Sequence, residues 1–171
     1  MLLPVLAGFA LGALAWPLIE YGIHGVLSHR FATFVTPLHA VHHREPRAVF
    51  TSPLAWLPAT LLVGFAATQG AGAPVGLAFT AGALGGFFRY EYLHWRIHFR
   101  APRSEREARL RAHHLAHHYC DARYYHGVTT RFWDRVLGTL PAKWEQDYAR
   151  VRERSPLSGR SNLGQIRATK A

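Results

Sequence analysis

The sequence contains little cysteine and little acidic charge. Its 171 residues include one cysteine, Cys120, and 10 Asp and Glu against 20 Lys and Arg. A single cysteine excludes an internal disulfide framework and any cysteine-rich zinc or iron–sulfur site. The 49% hydrophobic content excludes a disordered chain, and the length suits a single domain. Histidine, in contrast, is abundant, with 12 residues.

Charge is absent from long stretches of the chain. Residues 48–88 contain no Asp, Glu, Lys or Arg, and turn-forming residues at 69–74 divide them. As helices, the arms 48–68 and 74–98 would be about 31 Å and about 37 Å long. Residues 2–19 form a further uncharged stretch, which can continue as a helix to residue 29. Since the hydrocarbon layer is about 30 Å thick, the pattern predicts an all-α integral membrane protein with about three transmembrane helices, and a fourth stays open.

The basic excess follows the last predicted crossing. Residues 89–171 carry 17 Lys and Arg against 8 Asp and Glu, a net charge of +9. The positive-inside rule therefore places this helical cap and the C-terminus in the cytoplasm. The membrane that we expect is a bacterial inner membrane. The chain shows no nucleic-acid-binding module, so anionic lipid is the expected neighbour of these charges. We expect a membrane-embedded domain over 1–145 and a flexible basic tail over 146–171. Within the cap, Ser104 and the acidic residues after it predict a helix ending near Tyr119.

Ten of the histidines fall into four groups with the spacing of metal ligands. Residues three or four apart on a helix share one face, so a group of this kind can direct its rings to one locus. The pair five apart requires a bend or a frayed turn. The groups are His24 and His29; His39, His42 and His43; His94 and His98; and His114, His117 and His118.

Ten imidazoles are too many for one ion, and two ions with about five ligands each fit well. Imidazole binds iron, zinc, copper and nickel, so the ligand type alone does not choose the metal. Soluble di-iron carboxylate proteins use paired Glu-x-x-His motifs. Only Glu91 and His94 match that motif here, which disfavours a site of that type. The histidine pattern predicts a dimetal site in the cap.

Metal-bound histidine usually donates its other ring N–H to a carboxylate or carbonyl. The carboxylates that could serve in this way are Asp134, Glu91 and Asp121. His113 lies one residue away from the ligand face, and His126 stands alone, so both are further candidates for the surroundings of the site. Gly82, Gly85 and Gly86 could leave space beside the third crossing for a lipid chain, or serve close helix packing.

The order of the histidine motifs resembles the integral-membrane fatty acid hydroxylase and sterol desaturase superfamily, and is most similar to the fatty acid 2-hydroxylases. The likeness covers about residues 15–140. The stretches that carry it are residues 20–29, 38–46 (LHAVHHREP), 112–119 (AHHLAHHY) and 127–139 (GVTTRFWDRVLGT). Asp134, within the last stretch, is the carboxylate that the resemblance favours. His126 departs from the family pattern, which usually has an apolar or aromatic residue there.

The resemblance implies two iron ions, held by the ten histidines of the four groups, with zinc as an alternative metal. It further implies that O2 is the co-substrate and that one oxygen atom enters a C–H bond of a membrane lipid, most similar to 2-hydroxylation of a fatty acyl chain. Electrons would come from a separate donor resembling ferredoxin or cytochrome b5. The oligomeric state stays open.

Three other functions remain as alternatives. The motif at residues 42–46 is similar to bacterial carotenoid (beta-ring) hydroxylases, and a sterol desaturase-like enzyme belongs to the same superfamily. A non-enzymatic alternative is a histidine-rich membrane protein that binds or transports a metal. Transport is disfavoured, because transporters place ligands near the bilayer midplane whereas residues 54–68 and 75–88 contain no ionisable side chain.

Overall fold

A computed structural model describes residues 2–154, and within that range the fold is entirely helical. In chain order the elements are α1 (Leu2–Tyr21), a π-helical segment (Gly22–Arg30), α2 (Val35–Arg44), α3 (Pro53–Ala71), α4 (Ala73–Phe99), α5 (Glu105–Tyr119), α6 (Phe132–Val136) and α7 (Trp144–Arg154).

The three long helices form a layer with α4 packed against both α1 and α3. Helix α1 runs parallel to α4, because Trp16 near its end packs on Phe87, with ring centroids 5.5 Å apart. Helix α3 runs antiparallel to α4, because Trp56 near its beginning packs on that same ring at 5.4 Å. The end of α1, the end of α4 and the beginning of α3 therefore lie at the same end of the layer.

Glycine determines how closely α1 and α4 approach. A Cβ atom at Gly12 would collide with the carbonyl oxygen of Phe79, and one at Gly82 with the carbonyl oxygen of Phe9. Both positions belong to small-xxx-small patterns, which permit close backbone contact in membranes. Gly86 faces the Trp16 side chain. Close helix packing therefore accounts for Gly82 and Gly86, rather than a space left for a lipid chain.

Within residues 2–154, two helical stretches are long and apolar enough to cross a membrane, by length and composition: Leu2–Arg30, which is α1 with the π-helical segment, and Pro53–Ala71. Only 11% and 6% of their most apolar windows are buried inside the protein. A core helix of a soluble protein would be mostly buried, so this exposure favours a lipid environment. Helix α3 begins five residues after the predicted arm, because Pro53 occupies its first turn and the Ser52 side chain accepts a hydrogen bond from the N–H of Leu54.

The cap is built on α5, which begins and ends as predicted. Ser104 caps it by accepting a hydrogen bond from the N–H of Glu107 at 3.2 Å. Helix α7 packs against α5 around buried Leu115, Tyr148 and Val151. Residues 146–154 are thus helical rather than a flexible tail, and the boundary expected at residue 145 falls inside α7. Trp144, Tyr148 and Val151 form an apolar face of α7 at helical spacing, although most of its other residues are charged. The remaining predicted tail, 155–171, lies outside the described residues.

We expect Gly12→Leu and Gly82→Leu to lower thermal stability markedly, because overpacking costs roughly 1–3 kcal/mol even where neighbours are side chains that can move. Here the obstacle is backbone. Gly85→Leu is the matched control, since Gly85 meets nothing within 4 Å. Thermal unfolding of the detergent-purified protein, followed by fluorescence-detected gel filtration, measures the difference. Equal stability of the three variants would contradict close α1–α4 packing.

Candidate metal centre

His24 and His29, which are five residues apart in the sequence, lie in a π-helix. In the segment Gly22–Arg30 the helical hydrogen bonds join residues i and i+5. This wider turn places His24 and His29 on one face, with ring centroids 5.3 Å apart. The Ser28 hydroxyl supports it by donating to the carbonyl of Ile23 at 2.9 Å. The bend that the sequence required is therefore a regular π-helical segment, an element that occurs frequently at functional sites.

The structure brings all ten predicted histidines together as two groups of five. Within each group the candidate ligand atoms lie within 4.8 Å of one another. The first group is His24, His29, His39, His43 and His117, and the second is His42, His94, His98, His114 and His118.

Each of the histidine triplets is divided between the two groups, contrary to the expectation that a triplet faces one locus. His39 and His43 stay together, whereas His42 joins the second group. Residues four apart differ by about 40° around a helix, but adjacent residues differ by about 100°. Helix α2 therefore presents its rings to both sides. Helix α5 does the same, since His117 points away from His114 and His118.

In the first group the converging atoms are Nε2 nitrogens. The Nε2 of His117 is central, and the separations are 3.1 Å to His24, 3.0 Å to His29 and 3.1 Å to His43. The Nε2 atoms of His39 and His43 are 2.9 Å apart.

The second group has the same construction around the Nε2 of His114. That atom lies 2.9 Å from the Nε2 of His94, 3.0 Å from that of His98 and 3.0 Å from that of His118. His42 completes the group, 3.0 Å from His94. Nitrogens at right angles around one ion at about 2.1 Å are about 3.0 Å apart, so both groups fit a single ion each.

Main-chain carbonyls determine which ring nitrogen is protonated. A carbonyl oxygen only accepts, so each Nδ1 that contacts one carries the hydrogen, and its Nε2 carries a lone pair. Such contacts join His24 to His126 at 2.5 Å, His42 to Ala48 at 3.1 Å and His117 to Tyr124 at 2.7 Å.

The lone pairs of His24 and His117 consequently face each other at 3.1 Å, with no proton available to bridge them. Such an arrangement is repulsive unless a cation lies between the nitrogens. The donor chemistry of the first group therefore fits a divalent ion of the kind that imidazole binds.

Burial keeps the rings of the cap neutral. It lowers the pKa of His42 to about 4 and, together with the neighbouring His43 ring, lowers that of His39 to about 2. Burial and adjacent rings also hold the pKa values of His114, His117 and His118 well below the usual value. A neutral imidazole is the form that binds metal, so the rings are ready for ligation at physiological pH.

Asp134 is fully buried and is linked to the first histidine group through the main chain of His126. Its carboxylate accepts hydrogen bonds from the N–H groups of His126 and Gly127, both at 2.8 Å, and from the Thr139 hydroxyl at 2.8 Å. The carbonyl of His126 in turn accepts from His24. Asp134 thus positions the main chain that orients a ring, instead of bonding to the ring directly as expected.

His113 is buried between Asp134 and Tyr148. Its Nε2 lies 3.0 Å from the Asp134 carboxylate and its Nδ1 2.5 Å from the Tyr148 hydroxyl. Burial lowers the pKa of His113 despite the adjacent carboxylate. Burial opposes ionisation of Asp134 too, but the bonds from His113, Thr139 and Gly127 outweigh it and lower its pKa. The pair joins α5 to α6.

The other two carboxylates contact neither group in the described part of the chain. Glu91 accepts hydrogen bonds from the N–H and hydroxyl of Thr51, at 3.1 Å and 2.6 Å. Asp121 pairs with Arg123 at 2.8 Å. Residue type alone made both carboxylates candidates, and tertiary packing directs Glu91 to Thr51 and Asp121 to Arg123.

Sequence reasoning missed Glu20 and Tyr125. Glu20 is buried near the end of α1 and accepts from the main chain of Thr129 at 3.0 Å and from its hydroxyl at 2.5 Å. As the only charged residue before Arg30, it was a detectable signal. Tyr125 has a φ of 65°, a left-handed conformation that places its neighbours' carbonyls, at Tyr124 and His126, against two rings. Its hydroxyl donates to Asp147 at 2.5 Å.

An apolar cavity of about 280 Å³ lies between α1, α3 and α4 and reaches both histidine groups. Its walls include Trp16, Ala59, Thr80, Ala83 and Phe87. Four rings stand at its inner end: His24, His39, His42 and His94. From Thr80 to His94 the wall of α4 extends about 21 Å, which gives an elongated shape.

Comparison with known proteins agrees with this site. The sequence profile of the fatty acid hydroxylase family matches residues 9–139. The chain belongs to the fatty acid hydroxylase family. Among its hydroxylase relatives, a dihydroceramide fatty acyl 2-hydroxylase of Arabidopsis thaliana is 33% identical over 147 residues, 77% of this chain and 60% of that protein. The fatty acid 2-hydroxylase of Homo sapiens is 34% identical over 148 residues, 77% of this chain and 39% of that protein.

A solved hydroxylase structure has the same fold. It is full-length scs7p, in which only the hydroxylase domain is visible, with a TM-score of 0.71 and 28% sequence identity. The match covers 81% of this chain and 56% of that chain. This member of the family therefore spans between about two fifths and three fifths of the proteins that it resembles.

We expect Asp134→Asn to weaken metal retention by roughly 10–100-fold, because the amide cannot accept from both main-chain N–H groups and the His126 carbonyl loses its fixed position. Asp121→Asn is the control, since the Asp121 carboxylate is hydrogen-bonded to Arg123 and belongs to neither histidine group. Competition with a chelator, followed by metal analysis, measures retention. If the two variants lose metal equally, Asp134 does not position His24.

Proposed function

We propose that this protein is a membrane di-iron oxygenase that hydroxylates a C–H bond of a lipid, at carbon 2 of a fatty acyl chain. The observation that carries the proposal is the cavity, whose apolar walls end on rings from both histidine groups. An acyl chain in this cavity would place one carbon beside two ions. The hydroxylases named above act, by their names, on fatty acyl chains, and the preference for carbon 2 rests on them.

The ten histidines would hold the two ions, His24, His29, His39, His43 and His117 one of them and His42, His94, His98, His114 and His118 the other. When bound, iron supplies the activation of O2. One oxygen atom enters the C–H bond and the other leaves as water, with two electrons and two protons from outside. A separate donor resembling ferredoxin or cytochrome b5 would supply the electrons. Zinc is an alternative metal for the same neutral imidazoles.

The chain's own residues position the reactants and exclude water. The carbonyls of Ala48, Tyr124 and His126 fix the orientation of three rings. Glu20 fastens the loop that carries His126 to α1, through Thr129. The apolar walls contributed by α1, α3 and α4 accept an acyl chain and keep water from its reacting carbon.

The proposed membrane arrangement has three crossings, α1, α3 and α4. Helix α4 is 27 residues long and packs between the two apolar helices, so it is long enough to cross. All ten histidines lie at one end of this layer, beside the basic cap. The positive-inside rule assigns that end to the cytoplasm. A lipid tail can then enter the cavity from the bilayer between α1 and α3.

The direct test combines metal analysis of the purified protein with lipid profiling of the host that expresses it. We expect two irons per chain and new 2-hydroxy acyl lipids. His117→Ala and His114→Ala each remove the central nitrogen of one group, so each should lower the metal count and abolish the product. Gln146→Ala, on the exposed face of α7, is the control.

A single metal per chain, or a product that survives both histidine substitutions, would contradict the mechanism. Hydroxylated carotenoid that forms only in a carotene-producing host would instead identify a carotenoid hydroxylase. Tight metal binding without any lipid product in either host would favour a metal-binding protein.

The size of the cavity should limit the length of the acyl chain that is hydroxylated. Ala59→Phe adds a ring inside the cavity on α3, so we expect the product distribution to shift toward shorter acyl chains. Ala66→Phe makes the same change on the exposed face of α3 and is the control. Mass spectrometry of the hydroxylated lipids measures the distribution. An identical distribution for both variants would show that the acyl chain does not occupy this cavity.

A further inference from the structure

A second cavity, of about 240 Å³, lies on the cap between α5 and the segment that contains α6. It is polar, unlike the cavity that reaches the histidines. Four of its eight lining residues are arginines and two are threonines, and they are Arg106, Arg109, Arg131, Arg135, Thr129 and Thr130.

No carboxylate lines this cavity. Arg106, Arg109 and Arg135 form no ion pair within residues 2–154. The guanidinium of Arg131 is held in place by the Trp144 ring, 5.4 Å from its centroid. Four like charges around one cavity repel one another, so the arrangement favours a bound anion. Guanidinium groups match phosphate oxygens in pairs of hydrogen bonds, which makes phosphate the preferred anion.

In the membrane arrangement proposed above, the cavity lies near the level at which α1 would leave the membrane. Thr129, in its wall, is bonded to Glu20, which follows 19 residues without charge. Beside the cavity, which Phe132 also lines, α6 and the residue after it expose large apolar side chains: Phe132 56%, Val136 57% and Leu137 52%. Arginines above a row of exposed apolar side chains are typical of a surface that contacts lipid headgroups and hydrocarbon together.

We propose that this cavity binds the phosphate group of an anionic membrane phospholipid, with Arg109 and Arg135 as principal contacts. The acyl chains of the lipid would lie along Phe132, Val136 and Leu137. Such a lipid would fasten the cap to the membrane beside the entrance for substrate. No residue of the cavity belongs to either histidine group, so lipid binding here can be measured separately from metal content.

The test uses the whole 171-residue chain in a neutral detergent. Thermal unfolding and native mass spectrometry are measured with phosphatidylglycerol, with phosphatidylcholine and with inorganic phosphate. We compare the wild type with the double variant Arg109→Gln/Arg135→Gln and with the control Arg150→Gln/Arg152→Gln, which removes the same charge from the exposed face of α7. We expect phosphatidylglycerol to stabilise the wild type and the control, and its apparent affinity to fall about 30-fold in the double variant.

Three results would overturn the proposal. An equal loss of affinity for phosphatidylglycerol in the two double variants would show a general charge effect. Undiminished lipid binding in both would show that the arginines do not bind the lipid, and would favour an acidic protein as their partner. Stabilisation by inorganic phosphate that equals that of phosphatidylglycerol would assign the site to a soluble phosphate. Metal content, measured in each variant, shows that the histidine groups are intact. Arg135→Gln alone, at an exposed position, provides the same comparison if the double variant does not fold.

Discussion

The structure depends on the enclosure of ten neutral imidazoles whose Nε2 atoms approach to about 3 Å. Burial alone would make such a cluster unfavourable, because the nitrogens that face one another carry lone pairs wherever a carbonyl holds the Nδ1 hydrogen. An ion between them would convert the repulsion into ligation. Metal binding and the folding of the cap would then be coupled, since the same nitrogens that could bind an ion lie on α2, α4, α5 and the π-helical segment.

The helices meet this requirement through a few local devices. Glycines let α1 and α4 run parallel at close range, so the π-helical segment after α1 lies beside the histidine-bearing end of α4. The π-helical segment brings a pair five residues apart to one face. The loop around Tyr125, in a left-handed conformation, then offers two successive carbonyls to rings of the first group. Asp134 binds this loop at the main chain of His126 and Glu20 binds it at the main chain of Thr129, which explains why buried carboxylates occur so near a site made of histidine.

The protein has an apolar part, formed by the long helices, and a polar part, formed by the cap. Its long helices expose apolar side chains and enclose an apolar cavity, whereas the cap concentrates histidine inside and arginine outside. A reaction at a C–H bond of a lipid requires both, because the acyl chain must remain in an apolar space while the ions require polar ligands. Membership of the fatty acid hydroxylase family agrees with that division, and its members supply the preference for a fatty acyl substrate.

The amino-acid sequence by itself determined the helical class, the ten histidines and their placement in one cap. Uncharged stretches and i, i+4 spacing are local properties, which a helix expresses wherever it packs. The tertiary structure alone decided that His42 and His43 face different groups, that α7 continues through residues predicted as tail, and that Asp134 acts through the His126 main chain. These features depend on where other helices and carbonyls lie. Periodicity fixes the angle between two side chains of one helix, but not which neighbouring element each of them meets.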